Sequence, residues 1–181
     1  MKIIITGASG YIGSRLCLFL SKKKYHVTAV CSSKIPQKKS WTEKVNQFII
    51  GDIRDQSTIK SISDVKADIL IHLISLDHHD SEKKPNYVSK INIQPTWDLL
   101  DSCIEKGLKK FIYFSTIHVY GKNQNGFIYE SQSINPFNTY GLTHALSEEI
   151  CNFYNRNTET ECINIRLSNS YGEPVFFDSK C

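Results

Sequence analysis

The segment Thr6-Gly7-Ala8-Ser9-Gly10-Tyr11-Ile12-Gly13 spaces three glycines as G-x-x-G-x-x-G, between an apolar run and a helix-periodic stretch. This composition suits a pyrophosphate. One glycine permits a tight turn, another lets the backbone approach the phosphates, and a third lets helix pack on strand. The helix N-terminus then offers free N–H groups and a partial positive charge. Gly7, Gly10 and Gly13 thus point to a dinucleotide loop, with a purely structural turn as the plainer alternative. Such loops usually have an acidic residue about 20 positions further on, for the adenosine ribose. This chain has Cys31-Ser32-Ser33-Lys34 there instead. Lys34 suits a 2′-phosphate and so NADP. Ser32 or Ser33 suits a plain ribose and so NAD. Both readings stand.

The elements that must position this loop follow from periodicity. Ile3-Ile4-Ile5, Val27 to Val30, Gln47 to Ile50, Ile69 to Ile74, Phe111 to Phe114 and Cys162 to Leu167 read as strands. Between them Ile12, Leu16, Phe19 and Leu20 recur at helical spacing, as do Leu142, Leu146, Ile150 and Phe153. A weaker helix surrounds Ile59 and Ile62, and one helical segment is expected from about Pro85 to Glu105. Strands alternating with helices imply βαβ units and a parallel sheet. Strands without polar alternation imply burial on both faces. The fold class is therefore α/β, a doubly wound parallel sheet. The polar stretch from Lys122 to Asn138 reads as a long loop, a place where function often sits.

Composition narrows the function classes. The chain has 181 residues, 40% hydrophobic and 22% charged, which suits one globular domain rather than a disordered or fibrous chain. Its net charge is +4, but the lysine clusters are dispersed and carry no interleaved aromatics, so nucleic-acid binding is not expected. No apolar run reaches the length of a membrane helix, and no signal peptide is read at the start. The six cysteines include no C-x-x-C pair, so neither a zinc site nor a dithiol is expected. Reduced thiols in a cytoplasmic setting are the default expectation.

The motifs in order resemble those of the extended short-chain dehydrogenase/reductases, in particular the nucleotide-sugar epimerase/dehydratase group typified by UDP-galactose 4-epimerase. The resemblance covers nearly the whole chain. It rests on T-G-A-S-G-Y-I-G at 6–13, G-D-I-R-D at 51–55 and I-H-L-I-S at 71–75. It continues through F-I-Y-F-S-T-I-H-V-Y-G at 111–121, Y-G-L-T-H at 140–144 and R-L-S-N-S-Y-G at 166–172. It implies a Rossmann fold that binds NAD, and an oxidoreductase acting on a nucleotide-linked sugar. By this resemblance, Tyr11 and Ile12 add backbone contacts to the loop. Asp52 and Ile53 hold the adenine, and Leu73, Ile74 and Ser75 line the cofactor. Asn92 organises that region, Thr116 bonds a sugar hydroxyl, Tyr140 is the catalytic base, and Asn169 lies near the sugar phosphates. Tyr120 and Tyr171 read as packing aromatics. The resemblance further implies a homo-oligomer, because the tyrosine-bearing helix often packs on its twin.

Two departures qualify this expectation. The family's lysine four residues after the tyrosine supplies charge and bonds the nicotinamide ribose. Here His144 takes that position. A neutral imidazole can still bond a ribose hydroxyl but lends little charge to a phenol whose ordinary pKa is about 10. The second departure is length, since family members carry well over a hundred further residues for the sugar-nucleotide pocket. Residues 1–181 are thus expected to be a C-terminally truncated NAD(P)-binding domain with impaired or incomplete activity. A non-catalytic NAD(P)-binding module and a small-carbonyl reductase are the alternatives.

Overall fold

The computed structural model describes residues 1–32, 41–122 and 125–172. Six parallel strands form one sheet: β1 (Lys2–Thr6), β2 (His26–Cys31), β3 (Gln47–Ile50), β4 (Ile69–His72), β5 (Lys110–Thr116) and β6 (Glu161–Leu167). Their order is β3-β2-β1-β4-β5-β6. The helices are α1 (Tyr11–Lys22), α2 (Gln56–Ser63), α3 (His78–Lys83), α4 (Pro85–Asn92), α5 (Gln94–Ile104) and α6 (Thr139–Asn157). This is the doubly wound Rossmann order. Its strand sequence reverses between β1 and β4, and the carboxyl ends of those strands open the crevice where ligands bind in such sheets.

Two apolar layers hold the sheet. One packs Ile4, Ile59, Ile62, Leu70, Leu99, Leu100, Phe111 and Cys151 under α2, α5 and α6. The other packs Ile3, Ile5, Cys17, Val27, Ala29 and Trp41 under α1. β1, β2 and β4 are buried on both faces, as continuous apolar strands require. The edge strands differ: β3 buries only Ile49, and β6 is nowhere fully buried.

The expected single helix over 85–105 is two helices, α4 and α5, meeting at Ile93. Pro95 explains the break, because it has no N–H for the carbonyl of Ile91 and disfavours helical backbone at Gln94. Asn92 uses the interruption: its Oδ1 accepts from Leu76 N at 2.8 Å, and its Nδ2 donates to Thr143 Oγ1 at 3.0 Å. One buried amide thereby ties the segment after β4 to α6.

Candidate active site

The glycine loop forms one wall of a cavity of about 710 Å³ at the β1/β4 switch point. Gly7 and Gly10 line it from the loop, Tyr11, Ile12 and Gly13 from the start of α1, Leu73 and Ser75 from the segment after β4, and Tyr140 and His144 from α6. Gly7 has φ +69°, and a Cβ at Gly13 would lie 2.3 Å from the Gly7 carbonyl oxygen. Those two positions are thus closed to larger residues, the first by conformation and the second by helix-on-loop packing. Among the described residues a Cβ at Gly10 would meet one atom, the Gly7 oxygen at 3.2 Å, a tight contact but a looser one than at Gly13. Among the described residues no side chain caps α1, and no acidic residue stands in its first turn. Its orphan N–H groups and positive dipole end therefore remain available to an anion.

Opposite the loop stands Tyr140. Asn138 caps α6 by accepting from Gly141 N at 2.7 Å. A Cβ at Gly141 would lie 2.7 Å from the His118 carbonyl oxygen, so the glycine brings the start of α6 against the turn after β5. Tyr140 is set there beside the Thr116 and Ser75 hydroxyls. Burial raises its pKa above the ordinary phenol value, those two hydroxyls pull it down, and Asp77 pushes it up. Thr116 Oγ1 accepts from His118 N at 3.3 Å, which leaves the threonine hydroxyl proton free to donate toward the phenol. His118 and His144 present their rings edge-on to Tyr140, with centroids 5.5 and 4.5 Å away.

His144 is buried, and desolvation lowers its pKa to about 4, with a smaller contribution from His118. It is therefore neutral at physiological pH and adds no charge beside Tyr140. Its Nδ1 lies 2.8 Å from the Tyr113 hydroxyl, and its Nε2 has no partner among the described residues. Beneath it, Thr6, His72 and Tyr113 sit side by side across β1, β4 and β5. His72 Nδ1 meets Thr6 Oγ1 at 2.7 Å, and burial lowers the His72 pKa to about 3.

The structure brings Gly7, Gly10, Tyr11, Ile12, Gly13, Leu73, Ser75, Tyr140 and His144 to one cavity, with Thr116 beside the phenol. It places others outside the cavity wall. Asp52 accepts from Arg54 N and Nε at 2.9 and 2.8 Å, and that guanidinium holds its carboxyl down to about 2. Ile53 is packed in the core, Ile74 lies against Gly7, and Ser32 and Asn169 are exposed. Lys34 lies outside the described residues. Tyr171, expected to pack, is 97% exposed at the cavity mouth with Ser170 and Gly172.

Sequence reasoning missed a buried ion pair under the site. Glu148 is fully buried on α6, where Arg166 Nη2 donates to it at 2.8 Å and Nε at 3.1 Å. Ser115 Oγ donates to the same carboxylate, and Arg166 Nη1 donates to the Tyr120 hydroxyl at 2.7 Å. The available signal was weak: Glu148 stands one helical turn beyond His144, on the face of α6 that carries the site.

Comparison with known proteins agrees with this geometry. Residues 3–180 match the model of the NAD dependent epimerase/dehydratase family. A dTDP-D-glucose 4,6-dehydratase of Dictyostelium discoideum is 32% identical, over 94% of this chain and 44% of the relative. An uncharacterized UDP-glucose epimerase, YtcB, of Bacillus subtilis (strain 168) is 30% identical, over 95% of this chain and 57% of the relative. A UDP-glucose 4-epimerase crystal structure superposes with a TM-score of 0.85 at 27% identity, covering 93% of this chain and 52% of that one. A UDP-glucuronic acid 4-epimerase from Bacillus cereus, in complex with UDP-glucuronic acid and NAD, does so at 0.77 and 30%, covering 92% and 56%. The chain spans about half the length of these relatives. With a glycine loop facing a tyrosine across a Rossmann switch point, and a family match over almost all its residues, the chain belongs to the NAD dependent epimerase/dehydratase family.

Proposed function

We propose that residues 1–181 form the dinucleotide-binding part of an oxidoreductase that acts on a nucleotide-linked sugar, with Tyr140 as its proton-transfer group. The observation that carries this reading is the single cavity shared by the glycine loop, Ser75, Tyr140 and His144. A dinucleotide fits it. The open N-terminus of α1 would take the pyrophosphate, and His144 Nε2, without a partner among the described residues, would bond a ribose hydroxyl. NAD is favoured over NADP, in keeping with the family and with the NAD bound to the UDP-glucuronic acid 4-epimerase. Asp52, Ile53 and Ser32 extend the site toward the adenosine end, and Asn169 toward the sugar phosphates.

A bound nicotinamide would supply the hydride acceptor. The chain's own residues do the rest. Thr116 orients a sugar hydroxyl and donates to Tyr140. Tyr140 takes the hydroxyl proton within hydrogen-bond reach. Its raised pKa makes that removal slow at neutral pH, since His144 contributes no charge. This last observation also favours a second reading, a dinucleotide-binding module without turnover. Incubating the protein with NAD and a panel of sugar nucleotides, and following both reduced nicotinamide by absorbance and sugar conversion by chromatography, separates the two. Turnover lost in Tyr140→Phe supports the enzyme. Binding without turnover in either protein supports the module.

The described helices include none long and apolar enough to cross a membrane. Exposed Leu142, Leu146 and Phe153 on α6, with exposed Trp97 on α5, support a homo-oligomer built on these helices.

A further inference from the structure

The two nitrogens of the His144 ring sit in different surroundings. Nδ1 lies 2.8 Å from the Tyr113 hydroxyl. Nε2 is buried without a partner among the described residues, on a side chain that lines the cavity and is only 2% exposed. A buried polar atom left without a partner is costly, so Nε2 calls for a ligand group. Which group it can bond depends on where the ring's one proton sits, since a neutral imidazole has one donor and one acceptor nitrogen.

Tyr113 decides this. It is 1% exposed on β5, with its ring 5.6 Å from that of His144. Both groups stay neutral: burial lowers His144 and pushes the Tyr113 phenol up. Between two neutral partners, a phenol O–H donating to an imidazole nitrogen is the stronger arrangement, because the phenol is the better acid and the imidazole the better base. The competing acceptor is Ser147 Oγ, which also lies beside the phenol. The Ser147 hydroxyl spends its own proton on the Asn92 carbonyl at 2.8 Å, and an alcohol oxygen is a far weaker base than imidazole.

We propose that Tyr113 is a positioning residue: it donates to His144 Nδ1, holds the ring proton on Nε2, and so makes His144 an uncharged hydrogen-bond donor to a hydroxyl of the bound dinucleotide. The proposal rests on the dinucleotide reading above. It separates the lysine's two tasks, keeping donation and giving up charge. The residues involved are this chain's own, and the pair is assembled by strand register and helix packing rather than by sequence proximity.

The test has two readouts on the full chain. Nitrogen-15 labelling of histidine reports the tautomer of His144 without any ligand. The expected result is a proton on Nε2 in the wild type and a mixture of tautomers in Tyr113→Phe. Calorimetric titration with NAD should show Tyr113→Phe weakened about 2-fold or more, because only the share of His144 protonated on Nε2 can then donate. In a His144→Leu background, Tyr113→Phe should cause no further loss. A wild-type proton on Nδ1, or the same loss of NAD affinity in the His144→Leu background, would overturn the assignment. Absence of NAD binding in the wild type would overturn the dinucleotide reading instead, while the tautomer measurement still decides which nitrogen Tyr113 engages. If Tyr113→Phe does not fold, the wild-type tautomer alone carries the decision.

Discussion

Acidification should unfold this protein through two buried histidines. His72 and His144 are both kept neutral by burial, with pKa values lowered to about 3 and about 4. In the unfolded chain each would titrate near 6.5. A lowered folded pKa means that the unfolded state binds more protons below that value. Stability is therefore full above about pH 6.5 and falls as the pH drops toward 4. Each histidine contributes roughly 1.4 kcal/mol per pH unit in this window. At about pH 4.5 the two together remove on the order of 5 kcal/mol, a large share of a typical total of roughly 5–15. His118, also lowered by burial and by His78, acts in the same direction. The carboxylates that the fold stabilises, Asp52 and Asp68, lose their contribution only at lower pH. Urea denaturation at a series of pH values between 7 and 4.5 measures the slope. His72→Gln and His144→Gln should each remove roughly half of it. A midpoint that stays level over this window, or a slope that both variants retain in full, would refute the reasoning.

Arg166→Met leaves the Glu148 carboxylate buried without its partner and should cost about 3 kcal/mol or more in chemical denaturation. Gly141→Ala puts a methyl 2.7 Å from the His118 carbonyl oxygen; it should destabilise by roughly 1–3 kcal/mol and reduce any Tyr140-dependent turnover. His144→Lys should lower the Tyr140 pKa by about 1–3 units, read as phenolate absorbance that disappears in Tyr140→Phe. Light scattering over a dilution series should show association, weakened by Leu146→Glu on α6.

The strands and the glycine loop were readable because both follow local rules. Continuous apolar runs mark buried strands, and glycine spacing marks a backbone that must approach itself. Tyr140 and His144 came from a motif, and their helical spacing placed them on one face. What could not be read depends on contacts distant in sequence. Pro95 was visible, but not that Asn92 would use the resulting break to bridge the segment after β4 and α6. Tyr113 looked like an ordinary strand aromatic until the packing of α6 brought His144 to its hydroxyl. The Glu148–Arg166 pair spans helix and edge strand, which no periodicity reports. Asp52 shows the converse, since its motif was legible while its engagement by Arg54 was not.

The central claim, that a dinucleotide occupies the cavity between the glycine loop and α6, is tested most directly by calorimetric titration of NAD into wild type and Gly10→Val. Gly10 lines the cavity, and among the described residues a Cβ there makes one tight contact, 3.2 Å to the Gly7 oxygen. The account predicts saturable binding of one NAD per chain to the wild type, and its loss in a Gly10→Val protein whose circular dichroism is unchanged. No binding to the folded wild type, or equal affinity in both proteins, would contradict it.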